Sequence, residues 1–256
     1  MREIIILIVT GIAGGILSSL LGGAALVTFP TLLAIGLSPV SAAIANTVSL
    51  LPVSFTAAYY ERSKLPKFDR ALVKLMICMV AGSMMGSALL LATPVRVLEL
   101  LVPLLLALAT LLFARGRQVA KWVEGRAQGS GSGSPWGRTA RAMIPVGMYG
   151  GYFGAGAGVL TLGVLSVGAR GDYRVANAIK NLLTGTSVMM SMVIYASQDA
   201  VPWQPVLLLM VGGLAGSWIG VRISRIVPRD AMHIAIVAMG AILTVVYAGR
   251  YWLGWL

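Results

Sequence analysis

One cysteine, one histidine and eight acidic residues are all that this 256-residue chain holds of those types, and these scarcities remove most enzymatic chemistry. A lone Cys78 excludes any intramolecular disulfide framework. The single His233 lies far along the chain from that thiol, so no nucleophile–base pair forms in sequence, and neither a GxSxG nor an HExxH motif occurs. Without Cys/His clusters a soft-metal site has no ligands, and no cofactor motif stands out. Charge is scarce too, at 11% of residues against roughly 25% in a soluble domain. What is present is apolar: 58% of residues are hydrophobic, in runs near the ~20 residues that a helix needs to cross a bilayer. These features specify an all-α integral membrane protein that is not an enzyme, with the lipid bilayer as its solvent.

The net charge of +12 does not indicate nucleic acid, because the basic residues collect in short connections beside apolar runs. Arg62, Lys64, Lys67, Arg70 and Lys74 form one cluster; Arg115, Arg117, Lys121, Arg126, Arg138 and Arg141 form another. Such loops mark the cytoplasmic face. The N-terminus passes from Met-Arg-Glu straight into apolar sequence, which predicts that the first segment is retained rather than cleaved as a signal.

Along the chain, the first apolar segment spans Ile4 to Ile35. As one helix it would measure roughly 48 Å, too long for an upright crossing, and a break is expected at Gly22-Gly23. Segments follow at Val40 to Tyr60, Ala71 to Ala92 and Val95 to Ala114, which completes a first membrane repeat over 1–114. A Gly/Ser-containing cytoplasmic linker occupies 115–141. The second repeat, 142–256, holds Ala142 to Val167, Val175 to Ala196, Val206 to Ile223 and Ala231 to Trp252, with a break at Gly154-Ala155-Gly156-Ala157-Gly158.

The halves are related by position. Ala81-Gly82-Ser83-Met84-Met85-Gly86 returns 134 positions later as Ala215-Gly216-Ser217-Trp218-Ile219-Gly220, where Pro94 also meets Pro228. Val40 to Asn46 meets Val175 to Asn181 at a displacement of 135. If each glycine-broken segment is re-entrant and three helices cross per half, the two homologous repeats are inverted. The central linker, the Arg170/Arg174 loop and the Arg222 to Arg229 loop then all fall on the cytoplasmic face, with Arg96 as the exception. Both termini are then extracytoplasmic. Non-helical backbone at that depth needs protein or a wet cavity around it.

Candidate binding residues follow from the cost of polar groups in lipid. Lys180, inside Ala176-Asn177-Ala178-Ile179-Lys180-Asn181, has no acid at i±3 or i±4, so an anionic substrate or an interhelical partner must compensate it, unless it snorkels to the interface. Asn46 and Asn181 occupy matched positions and can donate to an oxyanion or bond a neighbouring helix; Thr47 adds a nearby hydroxyl. Helices resuming after Gly22-Gly23 and after Gly154, Gly156 and Gly158 would aim unpaired N–H groups at an anion. Gly82/Gly86 and Gly216/Gly220 instead have the GxxxG spacing of close helix packing. No buried carboxylate stands out to couple protons.

These features resemble the sulfite exporter TauE/SafE family, also called the 4-toluene sulfonate uptake permease family. The resemblance rests on Gly154 to Gly158 and Ala176 to Asn181 in the second half. In the first half it rests on Gly22-Gly23, Pro30 and Ala43-Ile44-Ala45-Asn46-Thr47. The first turn, Gly22-Gly23-Ala24-Ala25, is poorer in glycine than the family's pattern, and Leu162 stands near where Pro30 stands in the first half. The resemblance implies a multi-pass protein of the bacterial inner membrane that moves sulfite, sulfonates or sulfoacetate by alternating access, often as export. A passive anion channel and a carrier of non-sulfur organic anions are the competing readings. Proton coupling and homo-oligomerisation stay open.

Overall fold

The computed structural model describes residues 2–21, 23–66, 68–115, 118, 135–168, 172–223 and 229–252. Gly22, Arg170 and most of the Gly/Ser linker therefore lie outside the described residues, as does the side chain of His233. Among those described, regular structure is helical: α1 (Arg2–Leu21), α2 (Ala25–Ala34), α3 (Pro39–Ser49), α4 (Leu51–Tyr60), α5 (Arg70–Ala92) and α6 (Val95–Ala114) in the first half. The second half follows with α7 (Pro135–Tyr152), α8 (Ala157–Gly168), α9 (Tyr173–Ser197), α10 (Trp203–Ile223) and α11 (Arg229–Trp252). Among the described residues, five segments are apolar and long enough to cross a membrane: Arg2–Ser19, Pro39–Tyr60, Arg70–Ala92, Val95–Ala114 and Trp203–Gly220. The outer surface is apolar as well, with Ile77, Leu100, Val211 and Val245 all more than half exposed, as a lipid-facing surface requires.

Local chemistry sets the helix ends. Ser38 caps α3 by accepting from Ser41 N–H, followed by Pro39 at the position where a missing N–H costs nothing. Asp69 caps α5 through Leu72 N–H, and Asp172 caps α9 through the N–H groups of Arg174 and Val175. The breaks fall where the glycines predict: after Leu21 in the first half, and over Phe153 to Gly156 in the second. Gly154 and Gly156 take φ of +78° and +80°, a region that costs an L-residue about 1–2 kcal/mol.

Two boundaries differ from the sequence reading. The helix assigned to start at Ala142 begins at Pro135, so the linker's last seven positions, 135–141, are helical. The single segment expected from Val40 to Tyr60 is two helices that join at Leu50. Pro52 has no N–H to return to the Val48 carbonyl, and Leu50 N–H bonds to Thr47 O at 3.2 Å instead.

Packing crosses between the halves. α1 lies along α10, and α5 along α7. α6 lies along α11, while α9 packs on α3, α4 and α5. Exchange of the two halves carries the α1–α10 pair onto the α7–α5 pair and returns α6–α11 to itself. Glycines permit the two closest pairs. A Cβ on Gly82 or Gly86 would enter the carbonyls of Ile144 or Met148, and one on Gly216 or Gly220 would enter the Ile12 carbonyl or the Ser19 hydroxyl. The GxxxG glycines thus serve close approach of backbones. Two apolar cores occupy opposite ends of α5: one holds Leu90 with Phe29, Leu98, Leu106 and Tyr195, the other Leu72, Leu75 and Met79 with Met143 and Ile179.

Candidate functional site

A cavity of about 210 Å³ lies between the halves. Its long wall is one face of α9: Asn177, Lys180, Asn181, Thr184, Ser187 and Val188 all line it, the recurrence of a helix with 3.6 residues per turn. The facing wall is α4 and the end of α3, through Thr47, Leu50, Val53, Ser54, Ala57 and Glu61. This polar stripe explains why α9, at 25 residues, is long enough to span a bilayer without being among the most apolar segments. Its neighbour α4, with Pro52 in its first turn, lines the same space.

One end of the cavity reaches the surface at Tyr60, which is 65% exposed, and at half-buried Glu61. The other end is lined by Thr47 and Gly154, each with a buried neighbour in the chain. Behind Thr47, Asn46 accepts a hydrogen bond from the Thr28 hydroxyl. Next to Gly154 and Thr28, the rings of Phe153 and Phe29 meet edge to face at 5.0 Å. Tyr195 OH donates to Gly151 O in the same layer.

Several polar groups at this end are left without protein partners. The Thr47 hydroxyl, on a residue 2% exposed, and the Asn46 Nδ2 are buried and unbonded among the described residues. Both approach Gly154, whose hypothetical Cβ would lie 3.2 Å from Thr47 Oγ1 and 3.6 Å from Asn46 Nδ2. An unmet buried polar group costs about 1–3 kcal/mol, which makes this corner a place where a polar ligand would be favoured. The first turn of α8, with Ala157 and Gly158 on the cavity wall, brings the positive end of a helix to the same space.

Lys180 is 9% exposed and lines the cavity. Among the described residues its ammonium makes no hydrogen bond or close ion pair; Glu61 is the charge that acts on it through space. The carboxylate of Glu61 itself is held by two amides: Asn177 Nδ2 donates to one oxygen at 2.7 Å and Asn181 Nδ2 to the other at 2.8 Å. Of the two compensations open for Lys180, an anionic substrate or an interhelical partner, Glu61 is a charge from another helix, and it is half-buried. Glu61 ends α4 beside a basic loop and is 119 positions from Lys180 in the chain, so helical spacing cannot connect them. Asn177 was also missed, although it shares the face of Lys180, Asn181 and Thr184 at i, i+3, i+4 and i+7.

The structure therefore brings Lys180, Asn181, Thr47, Gly154 and Gly158 to one cavity. Asn46 lies one layer behind the wall, and Gly156 packs on Ala109 and Leu112 of α6. Gly23 is buried and does not line the cavity. The repeat positions diverge here: Asn181 holds Glu61, whereas Asn46 holds Thr28.

The chain is 26% identical over 240 residues to the "Probable membrane transporter protein YfcA" of Escherichia coli strain K12, covering 93% of this chain and 87% of that protein. The same identity and coverage hold for the proteins of that name from strains O6:H1 and O157:H7. No solved structure matches. The model of the family described as "Sulfite exporter TauE/SafE" matches residues 7–247, so the chain belongs to that family of membrane transporters.

Proposed function

We propose that this protein is a secondary transporter that moves small sulfur-containing anions, of sulfite, sulfonate or sulfoacetate type, out of the cytoplasm across the bacterial inner membrane. The observation that carries the proposal is the buried Lys180 ammonium on the wall of a cavity between the helices, in a family described by sulfite export. A cation in such a place is costly without a compensating anion. The unpartnered Thr47 hydroxyl and the first turn of α8 supply neutral donors to the same volume, which suits an oxyanion with several acceptor oxygens.

Alternating access is supported by the buried aromatic layer beside one end of the cavity. The lining runs from exposed Tyr60 and half-buried Glu61 to Thr47 and Gly154, next to the buried Phe29–Phe153 pair. Release on the far side requires that layer to part while the Glu61 end closes. The exchange relation between the halves supplies a symmetric way to do so, with each half rocking on the glycine-lined α1–α10 and α5–α7 pairs. The basic Arg62 to Arg70 loop beside Glu61 supports a cytoplasmic position for that end.

The test is sulfite flux into proteoliposomes. Uptake must saturate with concentration, and sulfite, ethanesulfonate or sulfoacetate must compete with one another. A conductance that never saturates would replace the carrier with a channel. Flux of carboxylates without any sulfur oxyanion would remove the sulfur assignment.

A further inference from the structure

Glu61 occupies an unusual position for a carboxylate in an anion pathway. Its oxygens take the amide hydrogens of Asn177 and Asn181 at 2.7 and 2.8 Å, and it supplies the nearby negative charge that acts on Lys180. All four residues line the one cavity. These are the donors that a bound oxyanion would use, and the group seated on them is itself an oxyanion, attached to the protein at the end of α4.

We propose that Glu61 is a tethered competitor for the anion site: it fills the Asn177/Asn181 donors and offsets Lys180 when no substrate is bound, and a substrate enters by displacing it. This inference rests on the reading of the cavity as an anion site. It adds a determinant of specificity. A carboxylate held on a short tether acts at an effective concentration on the order of millimolar or more. A free monocarboxylate offers the donors nothing that Glu61 does not already offer, so it is excluded by the resident group. A sulfur oxyanion brings a third oxygen that can accept from the Lys180 ammonium as well, which makes no hydrogen bond among the described residues, and so can exchange with Glu61.

The surroundings allow the exchange. Glu61 lies just beyond the last turn of α4, where its backbone N–H bonds to Ala57 O and the chain turns into the short 3-10 segment Arg62–Lys64. It is half-buried at the cavity mouth, so a displaced carboxylate reaches water without crossing a packed core. Arg62, on that same segment, is exposed and already stacks over the Tyr59 ring at 4.1 Å, donating to Tyr59 O, so it does not hold Glu61 in place.

The experiment is anion binding by calorimetry to the full-length protein in lipid nanodiscs, with sulfite, ethanesulfonate and acetate as probes. Glu61→Gln is expected to lower the sulfite Kd at least tenfold and to create acetate binding absent from the wild type. Adding Lys180→Met to Glu61→Gln is expected to abolish both gains. If Glu61→Gln leaves every Kd unchanged or weakens binding, Glu61 serves to position Lys180 and the proposal is overturned. If the wild type binds none of the probes, binding that appears in Glu61→Gln upholds the proposal and silence in both overturns it. Tightened acetate binding with no response to sulfur anions upholds the competitor while removing the sulfur assignment. Glu61→Ala, which offers no side-chain amide, takes the place of the Gln variant if that one does not fold.

Discussion

Three glycines in one turn are expected to respond differently to the same added methyl group. Gly154 has φ of +78°, and its Cβ would lie 3.2 Å from the Thr47 hydroxyl. The conformation costs an alanine about 1–2 kcal/mol, and the Thr47 hydroxyl would have to give way to the new methyl group. Gly156 has φ of +80° and would meet Ala109 Cα at 3.4 Å, so it carries a similar backbone cost. Gly158 is in the first turn of α8, and its Cβ would meet only Lys180 Cδ at 3.9 Å. There alanine gains helix propensity, up to about 1 kcal/mol. With roughly 2–4 °C per kcal/mol for a chain of this size, Gly154→Ala and Gly156→Ala should lower Tm by roughly 2–8 °C. Gly158→Ala should leave it unchanged or raise it by up to about 4 °C. Thermal unfolding of the purified protein in one detergent, followed by intrinsic fluorescence, measures all three. Transport then separates them further, because Gly154→Ala crowds the unpartnered Thr47 hydroxyl while Gly156→Ala faces α6. Equal Tm for the Gly154 and Gly158 variants would refute the assignment of left-handed backbone to Gly154.

Other outcomes follow from the site and the packing. Lys180→Met should cut sulfite flux at least tenfold while keeping the fold, since a charge-assisted hydrogen bond is worth about 1.5–3 kcal/mol; unchanged Km and rate in proteoliposomes would exclude Lys180 from the site. Gly82→Leu should disrupt the α5–α7 pair, because a Cβ there already meets the Ile144 carbonyl; size-exclusion chromatography should show loss of folded protein, whereas Met85→Leu, on the 55%-exposed Met85 of the same helix, should be neutral. In a Cys78→Ser background, single cysteines at Ser38 and Arg170 should label with an impermeant maleimide from opposite sides of the membrane. Labelling of both from one side would end the inverted arrangement.

Much of the architecture is legible in the chain because it is governed by local free energies. Apolar runs of bilayer length, proline and serine at Ser38-Pro39, and glycines at Gly154 and Gly156 each act through the backbone within a few residues. Lys180 was conspicuous for the same reason: a cation in an apolar helix is costly wherever the helix packs. The start of α7 at Pro135 escaped because Arg138 and Arg141 make its first turns look like linker. The Leu50 joint was marked by Pro52, a residue that kinks helices without always dividing them.

The amino-acid sequence by itself determined that this protein is helical, membrane-embedded and built of two related halves, since composition, hydropathic length and repetition act on each segment independently. Only the tertiary structure decided what faces what. It set Glu61 on Asn177 and Asn181, 116 and 120 positions away, and turned Asn46 to Thr28 behind the cavity wall instead of into it. Those meetings depend on how α4 bends and on which helix α9 lies against. Both are settled by close packing across the halves, where glycines let backbones touch, and no periodicity within one helix records that choice.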